Sequence, residues 1–428
     1  MKTTILLEHE PVQPGGATHA VRAFLRIEAE PRASGARAPL DLAIVLDRSG
    51  SMRGAKLAAA RAAAAQLVRR CAPEDVLSVV AYDDAVTTVA PPATGAAQAD
   101  LPRRIEAIQS GGMTNLSGGW LRGRELVERA RTDGAVCRIL LLTDGLANVG
   151  ITDPQQLVGL CAAARERGIT TTTIGFGEDY DERLLRAMAD AGGGHTYYIE
   201  RVDQAIGIFE EEIEGLLGLV AQNVSVLITP APAARLAAVY HSYPREAVGD
   251  GLRLELGDVY AREPRGLLAE FVVEAGSATA PVEIATFIVS ADAIGDKGDV
   301  VHREIRLPIT FAPAEGPRVE PEVRKELLLL RAAQAREHAL DAERRGDAAG
   351  AAGVLREAAD ALLDAPPEVA GLAELIEEGN ELRQMAAVFE KGATLRDRKY
   401  MYQRAYDLAR SRKEAARRIQ RRDEEESN

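Results

Sequence analysis

Residues 41–52, DLAIVLDRSGSM, decide the fold. The apolar run at 42–46 predicts a buried strand of a parallel sheet, because such strands are apolar on both faces. The run ends in three oxygen-bearing side chains at alternate positions, Asp47, Ser49 and Ser51. Ligands of an open α/β sheet bind outside the carboxyl ends of its strands. Carboxylate and hydroxyl oxygens at such a place favour a hard cation, above all Mg²⁺.

Two later segments carry the same chemistry. Residues 111–116, GGMTNL, lie between two predicted helices and contain Thr114. Residues 138–148, RILLLTDGLAN, predict a second apolar strand that ends at Asp144. We therefore expect five oxygen-bearing side chains to converge at one edge of the sheet.

In these three segments the sequence resembles the von Willebrand factor type A family. That family's metal-ion-dependent adhesion site consists of D-x-S-x-S, then a threonine, then an aspartate after a later strand. The resemblance covers residues 38–218 and implies a metal site at the matching positions, which are Asp47, Ser49, Ser51, Thr114 and Asp144. It implies Mg²⁺, with Mn²⁺ or Ca²⁺ as alternatives. It also implies a partner protein that supplies an Asp or Glu side chain to the metal.

Helix capping is the alternative explanation for these residues. Asp47 and Ser49 would then cap the helix that follows them, and Thr114 with Asn115 would cap the next one. Capping predicts one such residue per helix, however, and not five oxygens at one sheet edge. We expect the side chain of Arg48 to point to solvent.

The remaining pattern of residues 38–218 alternates strands and helices, which predicts an α/β, doubly wound, mostly parallel sheet with helices on both faces. This is a Rossmann-like arrangement. Residues 86–89 are expected to pair with the strand at 77–82 as a hairpin. The expected helices lie at about 53–71, 98–109, 117–131, 154–167, 181–191 and 203–217.

The flanking residues predict a different architecture. Residues 1–37 contain two alternating strands that are too few to be stable alone. Residues 219–313 contain further strands, one of them expected at 239–243, at the spacing of an all-β sandwich. The economical interpretation joins both segments in one sandwich, with the domain at 38–218 inserted between them. This plan resembles inter-α-trypsin-inhibitor heavy chains and integrin β chains, and residues 256–271 are similar to segments of bacterial relatives. Residues 314–428 form a C-terminal α-helical region, whose first two helices resemble one tetratricopeptide pair.

Composition narrows the possible partners and the cellular location. The chain has 428 residues, a formal net charge of −13 and a pI near 5.2, which disfavours nucleic acid as a partner. No segment has the length of apolar sequence that a membrane span requires, and the N-terminus lacks the pattern of a signal peptide. Three thiols in apolar patterns, Cys71, Cys137 and Cys161, favour a reducing compartment. We therefore expect a cytoplasmic protein without a membrane partner.

The sequence favours binding over catalysis. None of the six histidines accompanies a nucleophile motif, and there is no phosphate-binding loop or H-E-x-x-H motif. The arginine cluster in residues 413–426, KEAARRIQRRDEEE, is better explained as a solvated helix end than as a nucleic-acid site. We expect no enzyme, but a metal-dependent protein–protein interaction module or scaffold. The alternative is a regulatory partner of an AAA-type ATPase, in a chelatase-like or chaperone-like assembly.

Overall fold

The structure is a computed structural model that divides the chain into two compact units. It describes residues 1–11, 18–29, 37–132, 134–177, 180–199, 201, 203–261, 263–274, 281–294, 300–312, 318–369 and 371–410. The α/β unit is formed mainly by residues 31–223, and the sandwich unit by residues 1–30, 224–291 and 302–418.

The strands and helices of the described residues have the following bounds. The strands are β1 (Lys2–Pro11), β2 (Thr18–Glu28), β3 (Leu40–Asp47), β4 (Val76–Tyr82), β5 (Val86–Thr94), β6 (Val136–Thr143), β7 (Ile169–Phe176), β8 (Gly193–Ile199), β9 (Leu219–Pro230), β10 (Ala234–Val239), β11 (Arg245–Val248), β12 (Gly251–Tyr260), β13 (Arg265–Glu274), β14 (Val282–Ile294) and β15 (Val300–Phe311). The helices are α1 (Ala55–Arg70), α2 (Leu101–Glu106), α3 (Leu116–Ala130), α4 (Pro154–Glu166), α5 (Glu182–Ala191), α6 (Gln204–Leu217), α7 (Pro321–Arg344), α8 (Ala348–Leu363), α9 (Leu372–Lys391) and α10 (Leu395–Ala409).

The α/β unit is built on one six-stranded sheet with the order β5-β4-β3-β6-β7-β8. All neighbours in it are parallel except β4 and β5, which form the expected antiparallel hairpin. Every residue of the central strands β3 and β6 is buried, as their apolar runs predict. Leu46 pairs with Leu142, so that β3 and β6 end side by side. The predicted doubly wound α/β fold is confirmed.

Helix α3 packs unusually close to this sheet, and this closeness places its first turn beside the strand ends. A Cβ atom on Gly123 would lie 2.5 Å from the Val45 side chain, and one on Gly119 would lie 2.5 Å from the Tyr82 ring. Only glycine at these two positions allows the helix backbone to approach the strands so closely. Trp120, between them, is fully buried and donates to Thr171 Oγ1 over 3.2 Å.

The sandwich unit contains two antiparallel sheets with the orders β1-β2-β13-β10 and β11-β12-β9-β14-β15. Strand β2 pairs with β13 along all but its last residue, from Thr18 opposite Glu274 to Ile27 opposite Arg265. The N-terminal strands therefore lie in one sheet with strands that follow residue 219. The two sheets contact each other through apolar side chains at Phe271 on β13 and Phe287 on β14, whose ring centroids lie 6.3 Å apart.

The C-terminal helices α7 to α10 share an apolar core of their own, centred on Leu355, Leu382 and Phe389. A separate cluster joins α7 to the first sheet of the sandwich, where Val323 and Leu327 pack against Phe24 and Leu268. Within the described part of the chain, no helix has both the length and the apolar composition to cross a membrane. The arginine-rich segment 413–426 lies outside the described residues.

Two elements differ from the sequence-based expectation. The helix expected at 98–109 is shorter, because Pro102 fits only the first turn of a helix and fixes the start of α2. The strand expected at 239–243 ends at Val239. The ladder stops there because the N–H of Leu268 donates to the His241 ring over 3.1 Å instead of to a backbone carbonyl.

Candidate metal site

The site lies where β3 and β6 end. Asp47 is the last residue of β3, and Asp144 directly follows β6. Both carboxylates are fully buried, and Ser49 and Thr114 are almost so. Ser51 is the exposed member of the set.

A chain of hydrogen bonds links these side chains. Ser51 Oγ donates to Asp144 Oδ1 over 2.6 Å and lies 3.1 Å from Ser49 Oγ. The backbone N–H of Ser49 donates to Asp47 Oδ1 over 2.8 Å. Four of the five predicted residues are thereby held together within one connected network.

Thr114 enters from the loop before α3. A Cβ atom on Gly145 would lie 3.3 Å from Thr114 Oγ1 and 3.5 Å from Ser51 Oγ. Both hydroxyls therefore face the same small space beside Gly145. The backbone N–H of Thr114 donates to Asn148 Oδ1 over 2.8 Å, which fixes this loop to the one after β6. The structure thus brings all five predicted residues to one edge of the sheet.

Capping does not account for these side chains. The residues at the start of the turn Gly50–Met52 and at the start of α1 make no side-chain capping bond. Asn115, not Thr114, caps α3 by accepting from the N–H of Gly118 over 2.9 Å. The oxygens of Asp47, Ser49 and Thr114 are therefore not used to satisfy helix ends.

The environment of Asp47 is unfavourable for a negative charge. Burial raises the pKa of Asp47 to about 6, and the nearby Asp144 adds to this rise, although hydrogen bonds from Ser49 and Thr143 oppose it. A bound cation would reverse this penalty, since a neighbouring positive charge favours the ionised carboxylate.

The loops around the site are held by Asp83. Its carboxylate accepts from the N–H of Ala85 over 2.9 Å and from Arg48 over 3.2 Å. Burial would raise the pKa of Asp83, but these bonds and one from the Gly112 N–H lower it. Arg48 also contacts Thr87, so the expectation that it points to solvent is wrong. The sequence could not show this contact, since Asp83 follows a strand that becomes a neighbour only in the folded sheet.

Sequence reasoning missed two polar contacts of the predicted ligands. Thr143 Oγ1 donates to Asp47 Oδ2 over 2.6 Å, and Lys56 Nζ lies 2.6 Å from Asp144 Oδ2. The signal for Thr143 was its place as a polar residue at the end of an apolar strand. Lys56 has no comparable signal in the sequence.

The donor set fits a hard divalent cation. It offers two carboxylates and three hydroxyls, all oxygen donors of the kind that Mg²⁺ and Mn²⁺ take. The space beside Gly145, into which two of the hydroxyls face, would be filled by any larger residue. Among the described residues no three His, Cys, Asp or Glu side chains are grouped to hold a metal, so a site here depends on its hydroxyls.

Known proteins are similar to this chain in sequence and in fold. The family profile described as von Willebrand factor type A domain matches residues 41–211. An uncharacterised protein from Synechocystis is 30% identical over 236 residues, which cover 55% of this chain and 56% of that protein. Inter-alpha-trypsin inhibitor heavy chain H3 from Rattus norvegicus is 30% identical over 191 residues, covering 42% of this chain and 22% of that protein. The chain thus spans about half the length of the first relative and about a fifth of the second.

A solved structure agrees over most of the chain. The von Willebrand factor type A protein from Catenulispora acidiphila matches with a TM-score of 0.68 and 19% identity, covering 91% of this chain and 89% of that one. At this identity the likeness shows the fold alone. The sequence match and the shared fold together identify a von Willebrand factor type A domain within this chain. The present chain carries such a domain at residues 41–211, as its motif predicted. Domains of this class are commonly metal-dependent protein-interaction modules.

Proposed function

We propose that the chain is a metal-dependent protein-interaction module. In this proposal one divalent cation, preferably Mg²⁺, is held by Asp47, Ser49, Ser51, Thr114 and Asp144. An Asp or Glu side chain of a partner protein completes its coordination. The observation that carries the proposal is the meeting of these five oxygen-bearing side chains at the ends of β3 and β6.

The balance of charge supports binding of an acidic partner. Three of the five side chains are neutral hydroxyls, and Lys56 already neutralises part of the charge on Asp144. A divalent cation at this site therefore keeps a positive charge that the protein does not cancel. Mg²⁺ also prefers six oxygen ligands and usually retains water, which an incoming carboxylate can replace.

The proposal assigns no reaction to the site. His195 lies on β8, where its ring contacts Tyr197 and Glu212 in a buried network. We expect no hydrolysis of phosphoesters above background with or without Mg²⁺. A rate that depends on both Mg²⁺ and Asp47 would overturn this assignment.

The metal is tested first. In calorimetric titration with Mg²⁺, the parent protein is expected to bind one ion, and both Asp47→Ala and Asp47→Asn are expected to lose measurable binding. The Asn variant keeps the size of the buried side chain and removes only its charge. Asp100→Ala is the matched control, because Asp100 is exposed and makes no side-chain capping bond. Unchanged affinity in both Asp47 variants would contradict the proposed site.

The partner is tested with the same variants. The immobilised parent and Asp100→Ala proteins should recover a common partner from lysate in the presence of Mg²⁺ and lose it in chelator. Asp47→Asn should not recover it under either condition. Replacing one acidic residue of the recovered partner at a time should then identify the carboxylate that contacts the metal. Recovery that is equal in chelator would argue against the proposal.

A further inference from the structure

Lys56 occupies an unusual place for a cation. It is the second residue of α1, whose first turn carries no acidic residue. Positive charge at a helix N-terminus is unfavourable, because the unpaired N–H groups there already carry partial positive charge. A compensating interaction is therefore needed to keep the Lys56 ammonium in this position.

Asp144 supplies that interaction. Lys56 Nζ lies 2.6 Å from Asp144 Oδ2, while Asp144 Oδ1 accepts from Ser51 Oγ over 2.6 Å. Both oxygens of this fully buried carboxylate thus have donors from the protein itself. The lysine side chain is 28% exposed, so it reaches the carboxylate from the solvent side.

The residue that follows β7 also restricts the position of the lysine side chain. A Cβ atom on Gly177, just after β7, would lie 3.2 Å from Lys56 Cε and 3.3 Å from Lys56 Nζ. The end of the lysine stem therefore runs closely past a residue without a side chain. Its position over Asp144 is part of the packing of the unit.

We infer that Lys56 is an internal counter-ion that competes with the divalent cation for Asp144. This inference rests on the proposed metal site. A cation bound there adds positive charge within a few ångströms of the ammonium, and like charges at short range repel strongly in a partly buried setting. Lys56 thereby lowers the affinity for the metal when no partner is bound. An incoming carboxylate adds negative charge and relieves that repulsion, so the lysine couples metal binding to partner binding.

The test compares Lys56→Met with Lys56→Arg. Lys56→Met keeps an unbranched stem and removes the charge, and we expect its Mg²⁺ association constant, measured by calorimetry, to rise about tenfold, or about 1.4 kcal/mol. Lys56→Arg keeps the charge and should bind Mg²⁺ within about twofold of the parent. The increase in Tm that Mg²⁺ produces should likewise be larger for Lys56→Met than for the parent.

Arg69→Met is the matched control. It removes one positive charge from the same helix, at a surface pair with Glu106 and thirteen positions further along. At 1.5 Å per residue it lies roughly 20 Å away, beyond the Debye length at physiological salt. Its Mg²⁺ affinity should equal that of the parent.

The outcomes separate this inference from the proposed function. A parent protein that binds no divalent cation refutes both. A parent that binds Mg²⁺ with Lys56→Met at equal affinity refutes only the counter-ion. Reduced affinity in a folded Lys56→Met protein also overturns it, since Lys56 would then orient Asp144 for the metal rather than compete with it.

Discussion

At the scale of single residues, Thr143 controls the orientation of Asp47. It ends β6 beside the end of β3, and its hydroxyl donates to Asp47 Oδ2 over 2.6 Å. The other oxygen, Oδ1, accepts from the Ser49 N–H. With both oxygens held, the buried carboxylate has one fixed orientation. Side chains that orient a metal ligand in this way commonly contribute tenfold to a hundredfold to metal affinity.

Thr143→Val should weaken the proposed metal site without unfolding the protein. Valine has nearly the shape of threonine but no hydroxyl, so Asp47 Oδ2 loses its donor in a buried place. We expect Mg²⁺ affinity to fall about tenfold, measured by calorimetric titration at neutral pH. Thr173→Val is the matched control, because Thr173 is a buried threonine on β7 whose hydroxyl bonds Leu185 O and Thr196. Equal losses of affinity in both variants would show a general effect of packing instead.

The sequence predicted the five motif residues and could not predict Thr143 or Lys56 as their contacts. Asp47, Ser49 and Ser51 stand in one short segment whose pattern identifies a strand end. The contacts of Thr143 and Lys56 depend on which strands become neighbours and on where a long side chain turns. Both are properties of the folded sheet, and residue type alone does not encode them.

At the scale of elements, helix α6 is fixed to the sheet by one buried charge. Glu212 is almost fully buried and accepts from Thr172 Oγ1 over 2.7 Å and from the Tyr197 hydroxyl over 3.0 Å. His195 Nδ1 lies 3.4 Å from it, and Arg138 Nη1 lies 3.7 Å from it. These partners come from three strands of the same sheet, so the network fixes where the helix lies.

This network should make the stability of the α/β unit depend on acid. Burial alone would raise the pKa of Glu212, but His195, Arg138 and Thr172 outweigh it and lower that pKa to about 2 from 4.5. Ionised Glu212 therefore stabilises the fold above about pH 4.5, and this contribution is lost as the pH falls from 4.5 towards 2. Its full size is on the order of 3 kcal/mol.

This effect is measured by denaturant unfolding at several pH values between 2.5 and 6, which span roughly two pH units on each side of the ordinary pKa of glutamate. The parent should lose more free energy of unfolding across this range than Glu212→Gln, which has no group to protonate. Glu214→Gln is the control, since Glu214 lies on the same helix at a more exposed pair with Arg70. A pH slope in Glu212→Gln as steep as that of the parent would contradict the assignment.

Sequence patterns predicted the strands correctly where backbone N–H and carbonyl groups hydrogen-bond to one another. The fully apolar runs of β3 and β6 predicted buried parallel strands, and the alternation of elements predicted the sheet that contains them. The prediction of a strand at 239–243 was wrong because the N–H of Leu268 donates to the His241 ring and not to a backbone carbonyl. Such a replacement requires a contact between residues 27 positions apart, which local periodicity does not report.

At the scale of the whole molecule, the sandwich unit is assembled from two separate parts of the sequence. Strand β2 lies between β1 and β13, and Arg22 on β2 forms ion pairs with Glu8 and Glu270 on those two strands. Arg324 on α7 lies 3.0 Å from Glu8 as well. Removing the N-terminal segment would therefore expose a sheet edge and take the ion-pair partners Arg22 and Glu8 from two half-buried charges, Glu270 and Arg324.

The proposed insertion of the α/β unit between these parts predicts how the chain can be cut. A protein of residues 219–410 alone should lack a cooperative melt, because it has lost half of the sheet that contains β13. Residues 1–29 joined to 219–410 through a long Gly/Ser linker should restore the melt, although the entire α/β unit is missing. A long flexible linker adds little entropy cost per residue, so connectivity is not the obstacle. Calorimetry and near-ultraviolet circular dichroism of the tyrosines measure the cooperativity of melting in both proteins.

In the linked protein, Arg22→Leu should lower the Tm markedly, whereas Arg253→Leu, at an exposed pair with Glu246, should not. A cooperative melt of 219–410 by itself would contradict this prediction, because it would show that this segment folds without the N-terminal strands.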